Sequence, residues 1–184
     1  GGKFKNKFLG TIGDIGTYSF DHAKAITTGE GGMVVFKSKK YFKNGKAWHD
    51  HGHENNPKVP RWEDTRSSSG FNFRMTELQA AVGIVQLKKL NRVLFLQRKN
   101  AQLIWKKIKS IPDLSLRSFP PQSLPTYDSL IVVMKRPDLA KKFRVNLIKN
   151  GINTKILPEA MTWHFAKYWK HMKELSTSHK NKLH

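Results

Sequence analysis

Gly10-Thr-Ile-Gly-Asp-Ile-Gly-Thr-Tyr-Ser-Phe-Asp-His-Ala-Lys24-Ala-Ile-Thr-Thr-Gly-Glu-Gly-Gly32 is the stretch that decides the reading of this chain. Its first half, with the preceding residues from Phe4, reads as extended structure broken by Gly10, Gly13 and Gly16, closing in a short strand at Thr17 to Phe20. After the second glycine group, Met33-Val-Val-Phe36 is an apolar run suited to a buried strand. Lys24 therefore falls in a connection between two strands. Gly29, Gly31 and Gly32 read as permitting a turn and close packing, because no lysine follows them as it does in a phosphate-binding P-loop.

Outward from this core, Ser38 is placed to cap a helix running to Trp48, and residues 52–69 have the polar, proline-bearing composition of a long loop. Thr76 caps a long helix from Glu77 to about Lys109, with Leu78, Val82, Val85, Leu90, Val93, Leu94 and Ile104 as its apolar stripe. A proline-rich linker, Phe119 to Pro125, leads to a strand at Ser129 to Met134. A helix from Pro137 to Asn150, closed by Gly151, and a strand at Ile152 to Leu157 complete a small α/β unit. The tail from Glu174 is basic, polar and frayed. The expected division is residues 1–75, a bridging helix over 76–110, and a C-terminal domain with its tail over 111–184.

Composition narrows the classes. The 184 residues contain no cysteine, which excludes a disulfide framework and a thiolate metal site. No stretch approaches a membrane-spanning length, and the cytoplasm is the expected location. The anomaly is charge: 34 Lys and Arg against 13 Asp and Glu give +21. On a helix, Lys88, Arg92, Lys99 and Lys106 line one face, so a basic nucleic-acid-binding protein is a competing reading, set against a solvated face on a lysine-rich chain. His49, His51 and His53 alternate beside carboxylates. On a strand they would face one way and invite a metal, but their place beside a helix end and a polar loop favours substrate or interface contacts.

The Gly10 to Gly32 segment resembles the cofactor-lysine segment of the DegT/DnrJ/EryC1/StrS aminotransferases. Gly70-Phe-Asn-Phe-Arg-Met-Thr-Glu-Leu-Gln-Ala-Ala81 resembles their second signature, in the family's order and approximate spacing. The resemblance implies an α/β, fold-type-I pyridoxal 5'-phosphate (PLP) enzyme that converts a keto-sugar to an amino-sugar with glutamate as donor. Within the family, residues 50–57 and 157–172 look most like enzymes that aminate an eight-carbon keto-sugar acid, the 8-amino-3,8-dideoxy-manno-octulosonate type.

Lys24 is then the catalytic residue, since a primary amine condenses with the PLP aldehyde and, once freed, carries a proton between substrate and cofactor. By the same resemblance Ser19 contacts the cofactor phosphate, with a strand serine paired to backbone as the alternative. Asn72 matches an asparagine that reaches the phosphate of a neighbouring cofactor across a dimer. Arg74 either clamps phosphate or orders the turn before the helix. Trp163 and His164 resemble a segment near substrate, with core packing of Trp163 as the alternative.

The family's aspartate for the pyridine nitrogen belongs before Gly1, and Asp14 and Asp21 do not occupy its position. That pattern implies a fragment, a split product or a truncated copy. It leaves open a homodimer, a complementing N-terminal chain, or a catalytically silent partner subunit.

Overall fold

The computed structural model describes residues 1–165 and 168–172. The basic tail from Glu174 lies outside the described residues. Two compact units form: residues 1–110 with 116–132, and residues 111–115 with 133 onward.

In the first unit, strands β1 (Lys3–Phe4) and β2 (Lys7–Phe8) turn through Lys5 and Asn6, both at positive φ. β1 also pairs antiparallel with β6 (Ser123–Leu124), giving the order β2-β1-β6. The stretch expected as a plain linker thus contains a strand, held further by the Lys5 amide donating to the Gln122 carbonyl at 3.1 Å. Two residues are too few for a periodic signal, so only the distant pairing defines this strand.

Strands β3 (Ile15–Ser19) and β4 (Gly32–Phe36) form an antiparallel pair, with Ser19 opposite Gly32. Glycine is required at position 16 because a Cβ there would lie 1.6 Å from the Gly10 carbonyl oxygen. Tyr18 closes the same corner by donating its hydroxyl to the Leu9 carbonyl at 3.0 Å. One expectation fails here: β4 is not buried, with Met33 52% and Val34 50% exposed. An apolar strand is buried on both faces only when layers cover both; here the following helix meets the end of β4, with the Phe42 and Phe36 rings 6.3 Å apart, and Met33 and Val34 stay open to solvent.

Helix α1 (Lys39–Trp48) follows, its start closed by backbone alone, because the Ser38 side chain makes no cap bond. Helix α2 (Glu77–Ile108) has a full capping box, in which Thr76 accepts from the Gln79 amide and Gln79 reaches back to the Thr76 amide. Its 32 residues extend about 48 Å at 1.5 Å each. The single apolar stripe expected on α2 is in fact two faces. Leu78, Val82 and Val85 are exposed, whereas Leu94 and Ala101 are buried. At about 100° per residue these sets point to opposite sides of the helix. Lys88, Arg92, Lys99 and Lys106 are all exposed, on a face of their own.

In the second unit, β5 (Leu114–Leu116) pairs with β7 (Val132–Met134), shorter than the strand expected from Ser129. Helix α3 (Pro137–Lys149) carries Pro137 in its first turn. It ends in a Schellman arrangement: Gly151 at φ 76°, its amide donating to the Ile148 carbonyl, and the Ile152 amide donating to the Leu147 carbonyl. The expected strand at Ile152 to Leu157 is overturned. Residues 152–156 take no regular form and Leu157 opens helix α4 (Leu157–His164). A β-prone run becomes a strand only with a partner, and Pro158 suits a first helical turn, where no amide hydrogen is needed.

We expect Gly16→Ala to destabilise the protein by more than about 2 kcal/mol through backbone overlap, while Gly13→Ala, whose Cβ would meet nothing nearer than the Ile15 carbonyl at 3.8 Å, stays within about 0.5 kcal/mol of wild type. Urea unfolding of both variants checks the contrast.

Candidate functional site

Lys24 lies in the turn between β3 and β4, its amide donating to the Asp21 carbonyl at 3.0 Å. Its side chain is exposed, and its ammonium has no hydrogen-bond partner among the described residues. Ser19 ends β3 with its hydroxyl oxygen accepting from the Asp21 amide at 3.3 Å, so the hydroxyl proton stays free to donate. The Ala23 amide donating to Asp21 at 2.8 Å, with help from the charges of His22 and Lys24, holds the Asp21 carboxyl below its usual range.

The loop that follows Lys24 carries the start of α2. Gln79 donates its side-chain amide to the Glu30 carbonyl at 2.9 Å. Two glycines permit this approach: a Cβ on Gly31 would sit 2.8 Å from the Thr28 hydroxyl and 3.1 Å from Met75 Cε, and one on Gly83 3.1 Å from Thr28 Cγ2. Both sequence motifs are thereby brought together, 49 residues apart along the chain at the Gln79 bond.

Asn72 and Arg74 stand just before the Thr76 cap. Asn72 forms an isolated antiparallel bridge with Asp50, and its side-chain oxygen accepts from the Arg74 amide at 3.4 Å. Arg74 does not stand free: its guanidinium pairs with the Asp50 carboxylate. Arg61 meets the same carboxylate in a two-pronged contact at 2.6 and 2.9 Å. Asp50 is 3% exposed. The Arg61 hydrogen bonds first, then Arg74, hold its carboxyl far below the usual range against the opposing cost of burial, and the Arg61 guanidinium is correspondingly raised.

The three histidines do not converge. His49 caps α1 with Nδ1 against the Lys46 carbonyl, His51 is exposed at φ 54°, and the buried His53 turns its Nδ1 to Asp64 at 3.2 Å. His49 lies at a helix end, His51 in a turn and His53 in an isolated antiparallel bridge with Arg66, not on one strand that would have aligned them. Asp64 also accepts the Asn55 and Asn56 amides. The Asn56 amide is the chief reason its carboxyl is lowered. His53 and Asp64 line a shallow groove with Arg61, Trp62 and Arg66. In the second unit, Trp163 is 73% exposed, so core packing does not hold it, and His164 is exposed beside it.

Residues 1–182 match the model of the DegT/DnrJ/EryC1/StrS aminotransferase family. The chain belongs to that family. GDP-perosamine synthase of Escherichia coli O157:H7 is 32% identical over 174 residues, which are 93% of this chain and 46% of that protein. Among solved structures, the E. coli GDP-4-keto-6-deoxy-D-mannose-3-dehydratase with bound hydrated PLP is 30% identical at a TM-score of 0.73, covering 83% of this chain and 42% of the other. A GDP-4-keto-6-deoxymannose-3-dehydratase with a trapped PLP-glutamate geminal diamine reaches a TM-score of 0.78 at 28% identity, over 96% of this chain and 47% of the other. The chain thus spans about half the length of the relatives it matches. The likeness carries the α/β, fold-type-I expectation for this DegT-family chain.

Sequence reading missed Asp50, Arg61 and Asp64. Their ion pairs and hydrogen bonds join residues 8 to 24 positions apart without any periodic pattern. The one available signal was the gathering of acids at Asp50, Glu54, Glu63 and Asp64 in a chain otherwise poor in them.

Because the folded state lowers its pKa, Asp50 adds stability that is fully present above the ordinary aspartate value of about 3.9 and is lost as pH falls through the folded value. At neutral pH, Asp50→Asn should cost about 1–3 kcal/mol. The gap to wild type should be constant above about pH 4 and close progressively below it, as read by urea unfolding across a pH series.

Proposed function

We propose that this chain carries the lysine-bearing part of a sugar aminotransferase, which converts a keto-sugar to an amino-sugar using PLP and an amino donor such as glutamate. The observation that carries this reading is the seating of the α2 cap on the loop after Lys24, joining the two motifs that the family shares. The donor set supports it as well: an amine without a hydrogen-bond partner, a hydroxyl with its proton to give, and the Asn72 carboxamide nitrogen, which has no partner among the described residues.

When bound, PLP supplies an electron-withdrawing ring that stabilises negative charge on the substrate carbon. Lys24 Nζ would hold the cofactor and, as the free amine, would carry the proton at the reacting carbon. Ser19 Oγ donates to the phosphate. Asn72 Nδ2 donates to a phosphate across a pair of chains, which makes a second copy part of the working unit, unless a complementing chain supplies the partner surface. Arg74, engaged by Asp50, contributes chiefly by ordering the approach to α2. His51, His53, Trp163 and His164 remain the candidate sugar contacts, with the exposed His51 the better placed of the first two to meet a ligand.

The substrate is a keto-sugar, with the eight-carbon acid as the narrower proposal from residues 50–57 and 157–172. A cytoplasmic site of action belongs to the same proposal. Among the described residues, no helix is long and apolar enough to cross a membrane.

Borohydride reduction of the protein with PLP should fix a phosphopyridoxyl group on the peptide containing Lys24, and Lys24→Ala should remove it. Label spread evenly over surface lysines, or none at all, rejects the cofactor role of Lys24 and favours a catalytically silent partner subunit.

A further inference from the structure

Asp50 is a buried carboxylate in a chain whose other charged groups are mostly solvated, and it holds two guanidinium groups at once. Burying a charge is unfavourable unless it is paired, and removing one partner leaves an uncompensated charge behind. Without Asp50, Arg61 and Arg74 would face each other as like charges. The carboxylate therefore fixes both side chains, 11 and 24 residues away along the chain.

The backbone around it is laminated to the residues before α2. Asp50 bridges Asn72 directly. On either side, the Phe71 amide donates to the Trp48 carbonyl at 2.9 Å, the His51 amide to the Phe71 carbonyl at 3.0 Å, and the Phe73 amide to the His49 carbonyl at 2.9 Å. A Cβ on Gly70 would lie 2.3 Å from the Trp48 carbonyl, so the two segments approach as closely as glycine allows. Trp48, Phe71 and Phe73 pack their rings at centroid distances of 5.4 to 5.7 Å across the same seam.

Asn72 is thus gripped twice by Asp50. Its backbone is bridged to Asp50, and the residue two positions on is tied to the Asp50 carboxylate through one guanidinium nitrogen, Arg74 Nη1, while the Arg74 backbone amide donates to the Asn72 side-chain oxygen at 3.4 Å. The carboxamide nitrogen of Asn72 has no hydrogen-bond partner among the described residues.

We propose that Asp50 is a positioning residue, whose carboxylate sets the Asn72 carboxamide in place through Arg74 and the Asp50–Asn72 bridge. This inference rests on the aminotransferase reading for the ligand that Asn72 meets. Arg74 then serves as the strut of the arrangement, with its guanidinium committed to Asp50.

The test combines two readouts on the full chain: amide hydrogen exchange without cofactor, and titration with PLP. Wild type is compared with Asp50→Asn, Asn72→Ala and the double variant, with Asp64→Asn as a control that loosens the neighbouring loop. Exchange at residues 71–74 should rise about tenfold or more in Asp50→Asn, which corresponds to about 1.4 kcal/mol of local stability. It should stay near wild type in Asp64→Asn. PLP affinity should fall by a similar factor in Asp50→Asn and Asn72→Ala, and the double variant should lose no more than about twofold beyond either. Effects that multiply in the double variant overturn the proposal. So does an equal loss of affinity in Asp64→Asn, or unchanged exchange at 71–74. Should Asp50→Asn fail to fold, Arg74→Gln replaces it in the same cycle with the same expected non-additivity. Failure of wild type to bind PLP rejects the aminotransferase reading instead, and the exchange comparison still decides whether Asp50 positions Asn72.

Discussion

Gln79 uses both ends of its side-chain amide. Its oxygen accepts from the Thr76 amide and hydroxyl, and its nitrogen donates to the Glu30 carbonyl. The first contact starts α2, and the second anchors that start to the loop leaving Lys24. A helix N-terminus has unsatisfied amides that must find partners, so placing the capping residue against a glycine-rich loop fixes the helix start and the loop together. The relation of Asn72 and Arg74 to the lysine turn depends on this joint, because both lie within a few residues of the cap.

Around the joint the packing is thin. Among the described residues the buried apolar side chains are Ala47, Leu94, Ala101 and Leu114, while Met33, Val34, Leu78, Val82 and Val85 face solvent. Hydrogen bonds, glycine contacts and one buried ion cluster therefore carry more of the local order than an apolar core does. Asp50 and Asp64 are the clearest cases: Asp50 gathers the guanidinium groups of Arg61 and Arg74, and Asp64 the amides of Asn55 and Asn56.

Much of this arrangement was legible because its signals are local. The cap at Thr76, the glycine after α3 and the strands flanking Lys24 are each written within a few residues. The two motifs also announced the family. What escaped is non-local. The pairing of β1 with β6 joins two-residue strands across most of the first unit, and the Asp50 cluster unites residues without periodicity. The misread strand after Gly151 shows the same limit from the other side: β-prone residues without a neighbouring strand did not form one, and Leu157 began a helix instead. The apolar run of β4 gave the right element and the wrong burial, since burial depends on what covers a strand.

The central claim is that the turn between β3 and β4 presents Lys24 to PLP, with Ser19 beside that phosphate and Asn72 reaching the phosphate held by a second copy. A crystal structure of the protein grown with PLP tests it most directly. Continuous density from Lys24 Nζ into the cofactor, with the phosphate beside the Ser19 hydroxyl, is the predicted result. Cofactor density on another lysine, with Lys24 Nζ left in bulk solvent, would contradict it.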